Sequence, residues 1–528
     1  MGQIPDRASR PTAFTRPTAF TRRAALTLGA LAGVAAATGP VGVAEAAETA
    51  APAETAAPAG TAAPAGPAAP AGRFPRPTGL DGRALLPGDR GYADATTTFN
   101  LSQTPHPGLV VVATTPADVQ RAVRFAAEHR APVAVLATGH QPSVPIGPDA
   151  VLVATRALRA VTIDARRRVA RAEAGALWQD VLDRCGPAGL APIVGSTPIV
   201  GVVGYTLGGG LSPTLGRKFG YAADHVRSID LVGADGRSRT VTPNDDPELF
   251  FGLRGGKSNF GLVTAIEFDL FPVTSYYGGA IYFDGGDAAR LLHAYRRWTR
   301  TVPDEMSSSV ALIRMPDTAP RPLGGRLVAA LRICYLGRPS AGAALVKPLR
   351  DVATPLIDGV AQQPYSAFPS IHADPVDPVA AYERTALLRE LSAGAVDTLI
   401  SLTGPAAPVP ITLVEVRHLG GALGRQPEHP DAVSHRDAAF TLFLAGFGGT
   451  RGPSGLRRAE AEVIRRLAPW STGGMYLNFM AEDDVSPAAV RQAYQPDVYR
   501  RLQRLKRRVD PTNMFRLNHN IPPAGPDS

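Results

Sequence analysis

The sequence predicts an α+β fold in which one domain is split by another, and three observations predict it. A strand, helix, strand unit runs from Leu109 to Ala137, and glycine-dense, motif-like sequence follows to about residue 275. Between Val273 and Pro469 the pattern changes to strands interrupted by helices and proline-rich loops. Motif-dense sequence returns from Gly473. The expected organisation is a split first domain made of residues 73–275 and 470–528, with an antiparallel-sheet domain of residues 276–469 inserted into it. At 528 residues and 45% hydrophobic composition the chain has ample apolar material for such cores.

The first 72 residues are set aside from the fold. Thr21-Arg22-Arg23 precedes an apolar run from Ala24 to Ala37, and Ala44-Glu45-Ala46 suits signal peptidase. The run is too short for a bilayer of roughly 30 Å, and the paired arginines fit a twin-arginine export signal over residues 1–46. Residues 47–72 repeat Ala-Pro-Ala with Thr and Gly and form an extended linker. The mature protein is therefore expected to be secreted and free of membrane spans.

Charge and cysteine content narrow the classes further. Of the net charge of +9, the signal segment holds five arginines against Asp6 and Glu45, which leaves +6, dispersed and without an aromatic-interleaved basic stripe. Nucleic acid is not an expected partner. Cys185 and Cys334 alone exclude a cysteine zinc site and a disulfide framework, leaving room for a single bridge. No metal is expected.

The elements follow in order. Leu109 to Ala113 is a buried strand. Thr115-Pro116-Ala117-Asp118 starts a helix with a capping hydroxyl and first-turn proline, and Val119, Ala122, Val123 and Ala126 share one face. Val133 to Ala137 is the second strand, and short strands at Val151 to Ala154, Ala160 to Asp164 and Val169 to Glu173 follow. A helix opens near Gly175 with Leu177, Val181 and Leu182 on one face. Arg227 to Val232 and Ser238 to Val241 flank Asp235-Gly236, a hairpin signal. Pro247 to Phe250 begins a short helix, and Leu262 to Phe271 is a long strand; further strands include Leu327 to Tyr335 and Thr441 to Ala445.

Three segments carry chemistry. Ala137-Thr138-Gly139-His140-Gln141 follows a strand, where glycine lets backbone amides approach a pyrophosphate. Gly195 to Leu211 holds six glycines separated by apolar residues, which a surface loop does not require and a ligand passing close to the backbone does. It matches neither a Walker loop nor GxGxxG. Arg254-Gly255-Gly256-Lys257-Ser258-Asn259-Phe260-Gly261 is a third turn feeding a strand. One extended cofactor lying across three backbone segments accounts for all of them.

Taken with Gly216 to Val226 (GRKFGYAADHV), Tyr476-Leu477-Asn478-Phe479 and Asp510 to Pro523 (DPTNMFRLNHNIPP), the order of these motifs resembles the berberine-bridge-enzyme branch of the vanillyl-alcohol-oxidase (PCMH-type) flavoproteins. The resemblance covers roughly residues 104–275 and 470–524. It implies a split two-lobed FAD-binding domain with an inserted substrate domain, and FAD attached covalently to His140. Leu136, Ala137, Thr138, Gly139 and Gln141 match the pyrophosphate loop. Gly201, Gly204, Tyr205, Gly208 and Gly209 match the stretch along the flavin and ribityl chain, and Gly261 and Val263 the adenine side. Asn478, Asn518 and Asn520 fall in segments that border the ring. Where bicovalent members carry a cysteine, this chain has Thr197, which cannot form a thioether, so the resemblance implies attachment through histidine alone and a tighter site than the branch's oligosaccharide oxidases have.

The implied reaction is hydride transfer from an alcohol, sugar or specialised metabolite to flavin N5, with O₂ as acceptor giving hydrogen peroxide. Removing hydride from an alcohol needs a base for the hydroxyl proton. Tyr476 is the first candidate and Tyr205 the second, and either needs partners that lower its pKa from about 10. Two other readings compete: an inactive flavin- or ligand-binding protein of the same fold, and a nicotinamide dehydrogenase, which the missing GxGxxG disfavours. Twin-arginine export moves folded proteins, so it is compatible with a cofactor inserted before export.

Overall fold

A computed structural model describes residues 74–448 and 454–525. The export signal and the linker lie outside the described residues.

A four-stranded sheet forms the first lobe. Leu109–Val112 and Val133–Leu136 both pair in parallel with Val151–Ala154, and Arg83–Leu85 adds an antiparallel edge. The helix Pro116–Glu128 carries the chain from Leu109–Val112 to Val133–Leu136, the parallel strands on either side of Val151–Ala154. The Thr115 hydroxyl accepts from the Asp118 amide while the Asp118 carboxylate accepts from the Thr115 amide, a reciprocal cap, with Pro116 in the first turn. Val119, Ala122, Val123 and Ala126 are buried under the sheet as their spacing requires.

The second lobe is a five-stranded antiparallel sheet in the order Val161–Asp164, Val169–Glu173, Leu262–Asp269, Val226–Val232, Ser238–Val241. Gly236 takes φ 69° in the hairpin turn, a conformation that favours glycine. The helix expected near Gly175 starts later, at Trp178, because Gly175 packs against the Thr155 carbonyl, where a Cβ would stand 2.2 Å away. The helix Trp178–Cys185 buries Trp178, Val181 and Cys185, while Leu177 and Leu182 are half-buried. Cys185 and Cys334 are both free and buried.

The third sheet has eight strands, all antiparallel. Its path runs Ile357–Asp358, Ser275–Asp284, Leu327–Tyr335, Met306–Arg314, Leu413–His418, Phe440–Phe447, Ala381–Leu388, with Ala361–Pro364 also pairing Ser275–Asp284. Helices Ala288–Trp298, Ala393–Thr403 and Leu456–Leu467 contribute to the core on one face. The opposite face, beyond Glu383, Glu415 and Phe443, looks toward the two lobes. No helix among the described residues is long and apolar enough to cross a membrane.

The C-terminal helix Pro496–Val509 returns to the second lobe, where Leu505 presses on Gly252 so closely that a Cβ there would stand 2.2 Å from it. Its last turn carries a fully buried ion pair, Lys506 Nζ to Asp510 Oδ2 at 2.8 Å. Lys506 also donates to the carbonyls of Asn259 (2.6 Å) and Phe515 (3.0 Å), and Asp510 accepts from the amides of Met514 and Phe515 (2.8 and 2.9 Å). The DPTNMF motif thus fastens the C-terminus to the Arg254–Gly261 turn. Asp510→Ala leaves a buried ammonium without its counter-charge, and the expected loss of about 3–5 kcal/mol is measured by denaturant unfolding; a loss under ~1 kcal/mol would show that the pair is not what holds this corner.

Candidate functional site

One cavity of about 410 Å³ lies where the two lobes and the third sheet meet. That size falls within the range of small-molecule sites. Its walls come from the 136–141 loop, the 195–211 segment, the turn at 257–263, the inner face of the third sheet and the C-terminal segment.

The 136–141 loop is held rigidly. Gly139 takes φ 70°, and any Cβ there would stand 2.8 Å from the Thr98 backbone. Amides of Phe99 and Asn100 donate to the carbonyls of Thr138 and Gly139, and Arg156 Nε donates to Ala137 O at 2.7 Å. The Phe99 ring stacks on His140 with centroids 4.0 Å apart and planes 7° apart. His140 Nδ1 meets Thr138 Oγ1 at 2.9 Å, and Nε2 is buried without a partner among the described residues. Burial, opposed by Asp374, pulls the imidazole down to about 4, so the ring is neutral near pH 7.

Gln141 joins three segments. Its Nε2 donates to the carbonyls of Leu477 (2.9 Å) and Met480 (3.0 Å), and its Oε1 accepts from Lys257. Asn478 Nδ2 donates to Tyr205 O at 2.8 Å. Asn259 donates to the Gly256 and His519 carbonyls and accepts from the Ile521 amide, which ties the glycine-rich turn to the C-terminal segment. Asn518 donates to Ser258 Oγ at 3.1 Å, while its Oδ1 is buried and unpartnered on the cavity wall. Gly204 faces open space, with nothing within 4 Å of a Cβ placed there. An extended polar group resting on bare backbone fits these orphaned atoms and this cradle.

Most residues named from the sequence line this one cavity. Gly208, Gly209 and Asn520 do not. Gly208 sits behind the wall as a spacer: a Cβ there would be 1.9 Å from Asn478 Oδ1. Gly209, at φ 109°, leaves room for the Tyr476 hydroxyl, 3.3 Å from where its Cβ would be. Asn520 Oδ1 is buried without a partner away from the cavity.

The tyrosines differ from expectation in their electrostatics. Tyr476 Oη accepts from the Leu211 amide at 2.8 Å, yet burial and the neighbouring Tyr221 push its pKa up. Burial, with Tyr476 and Tyr365, also raises Tyr205, whose hydroxyl has no partner among the described residues. Asn478 pulls Tyr476 down and Arg417 pulls Tyr205 down, but burial outweighs both.

The sequence reading missed the charged wall contributed by the third sheet. Glu415 accepts from Ser309 Oγ (2.5 Å), Arg417 (3.0 Å) and Arg332 (3.1 Å), with His372 Nε2 3.5 Å away. Against burial, which raises it, the two arginines hold Glu415 well below the usual carboxylate range. Glu383 lines the same cavity with no ion pair or side-chain hydrogen bond among the described residues, and burial together with Asp374 pushes it up to about 7. Charged residues at alternate positions of an otherwise apolar strand, as in Leu413–His418, were the available signal. Lys257 was missed too, hidden inside a turn read for its glycines.

Comparison with known proteins places this geometry. Residues 107–242 match the model of an FAD binding domain, and residues 475–522 the model described as berberine and berberine like. (R)-6-hydroxynicotine oxidase of Paenarthrobacter nicotinovorans is 26% identical over 474 residues, 85% of this chain and 98% of its own length. An uncharacterised FAD-linked oxidoreductase of Bacillus subtilis is 25% identical, over 84% of this chain and 98% of its own. Among solved structures, 6-hydroxy-D-nicotine oxidase from Arthrobacter nicotinovorans superposes with a TM-score of 0.73 at 23% identity, over 84% of this chain and 99% of that one. A xylooligosaccharide oxidase from Myceliophthora thermophila does so with a TM-score of 0.73 at 21% identity, over 84% and 98%. The two family models fall on segments that face each other across the cavity, so the chain combines an FAD-binding domain with a berberine-like C-terminal segment and, along most of its length, is similar to FAD-linked oxidoreductases.

Proposed function

We propose that the protein is an exported oxidase that carries FAD on His140 and oxidises a small alcohol, sugar or specialised metabolite, returning the electrons to O₂ as hydrogen peroxide. The observation that carries this reading is His140 Nε2, a buried ring nitrogen without a partner on the wall of the cavity. With Nδ1–H donating to Thr138, the neutral ring keeps its lone pair on Nε2, the atom available for a bond to the flavin. Thr197, also on the wall, offers no thiol for a second bond. Oxidases of nicotine derivatives and of oligosaccharides among the similar proteins support small-molecule oxidation. Export rests on Arg22-Arg23 and the apolar run after them.

Bound FAD supplies a two-electron acceptor; the chain's residues supply orientation and a place for the substrate proton. Glu415 is fully engaged by Ser309, Arg332 and Arg417 and fixes the wall. Glu383, free of partners and close to neutral, is the carboxyl suited to take that proton. Tyr476, whose burial favours the protonated phenol, orients the substrate instead. Phe443 and Phe479, packed 4.8 Å apart, give the same space an apolar side that keeps water out.

Two outcomes check this reading. After acid denaturation, flavin absorbance and mass stay with the parent chain and leave in His140→Ala; release of all flavin from the parent would remove the covalent bond. With the best substrate from a panel of alcohols, sugars and cyclic amines, kcat/KM rises as pH climbs through about 7, because the base works deprotonated. Glu383→Gln loses that limb and about 10²–10⁴-fold in rate, and an unchanged limb would pass the role to another group.

A further inference from the structure

Lys257 is a charged residue of the cavity that the reaction above does not use. It follows Gly255-Gly256 and takes φ 51°, a left-handed conformation that strains any residue with a side chain, whereas Gly255 takes φ 118° beside it. Its side chain runs past Gly208, where an added Cβ would stand 2.7 Å from Lys257 Cε, and reaches the 136–141 loop. There the ammonium donates to Gln141 Oε1 and faces the cavity. Among the described residues it has no carboxylate partner and no second hydrogen-bond acceptor. Burial alone pulls it down to about 7, and it in turn helps to depress the buried His519. The fully buried lysine, Lys506, has Asp510. A strained, half-buried cation lacking a counter-charge inside a ligand cavity is a group whose partner arrives with the ligand.

We propose that the Lys257 ammonium is the chain's charge partner for an anionic oxygen of bound FAD, a cofactor-binding residue that nothing in the motif pattern names. The inference rests on the FAD reading. Two parts of FAD offer that chemistry: the diphosphate, which is anionic throughout, and the ring edge that gains negative charge on reduction. A cation against the first holds the cofactor, and against the second it raises the reduction potential and favours anionic sulfite addition to the oxidised ring.

The test uses the full-length flavin-loaded protein and the variants Lys257→Met, Lys257→Arg and Lys257→Gln, the last removing the charge while keeping a polar side chain. The readouts are flavin-to-protein ratio, two-electron midpoint potential and sulfite dissociation constant. If the ring is the partner, Lys257→Met keeps its flavin, binds sulfite about tenfold more weakly, and shifts the potential down by the equivalent ~30 mV. If the diphosphate is the partner, Lys257→Met is purified with less than half the parent's flavin, and what remains binds sulfite as before. In either case Lys257→Arg stays near the parent and Lys257→Gln moves in the same direction as Lys257→Met. Parent-like values in Lys257→Met overturn the proposal, as does an arginine variant damaged as much as the methionine one, since backbone strain would then be the cause. If Lys257→Met does not fold, parent-like values in Lys257→Gln overturn it. A parent purified without flavin sinks the FAD reading itself, a different failure from parent and variant that carry flavin alike.

Discussion

One amide side chain sets the shape of the cavity. Gln141 reaches the backbone of Leu477 and Met480, more than 330 residues away in sequence, and also meets Lys257. Buried carbonyls must find donors, and here the donor for two C-terminal carbonyls comes from the loop that presents His140. The loop, the glycine-rich turn and the C-terminal segment therefore cannot shift independently: moving one breaks a buried hydrogen bond in another. Asn259 repeats the device one layer deeper, and the Lys506–Asp510 pair fixes the C-terminal segment behind it.

Charge on the substrate side follows a division between groups that are locked and groups that are free. Glu415 is held between Arg332 and Arg417 within the sheet, so its burial is tolerated and its titration suppressed. Glu383 lies on a neighbouring part of the same wall without such partners and stays near the pH at which it can exchange a proton. Two glutamates thus differ in chemistry because of what surrounds them, and only the second is left for a visiting molecule.

Much of the first domain was legible because its signals are local. The reciprocal cap at Thr115, the helical spacing from Val119 to Ala126 and the Asp235-Gly236 turn each act within a few residues, and each element is found within a few residues of its expected bounds. The inserted sheet was read only in part, since strands such as Ser275–Asp284 are buried over nearly their whole length and show no alternation. The glycine segments pointed to this cavity but not to which glycines line it: Gly208 and Gly209 serve the side chains behind the wall, and only packing reveals that. Glu383 and Glu415 come together through sheet register, which no local motif encodes. The raised pKa of Tyr476 likewise depends on surroundings drawn from distant parts of the chain.

The place of the C-terminal segment also has a meaning in time. A chain is made from its N-terminus, so the His140 loop and the Lys257 turn are complete long before residues 475–522 exist. Until then Gln141 lacks Leu477 and Met480, Asn259 lacks His519 and Ile521, and the cavity lacks a wall. A polypeptide interrupted before Tyr476 has most of its mass but lacks the partners of Gln141 and Asn259 and the C-terminal wall of the cavity.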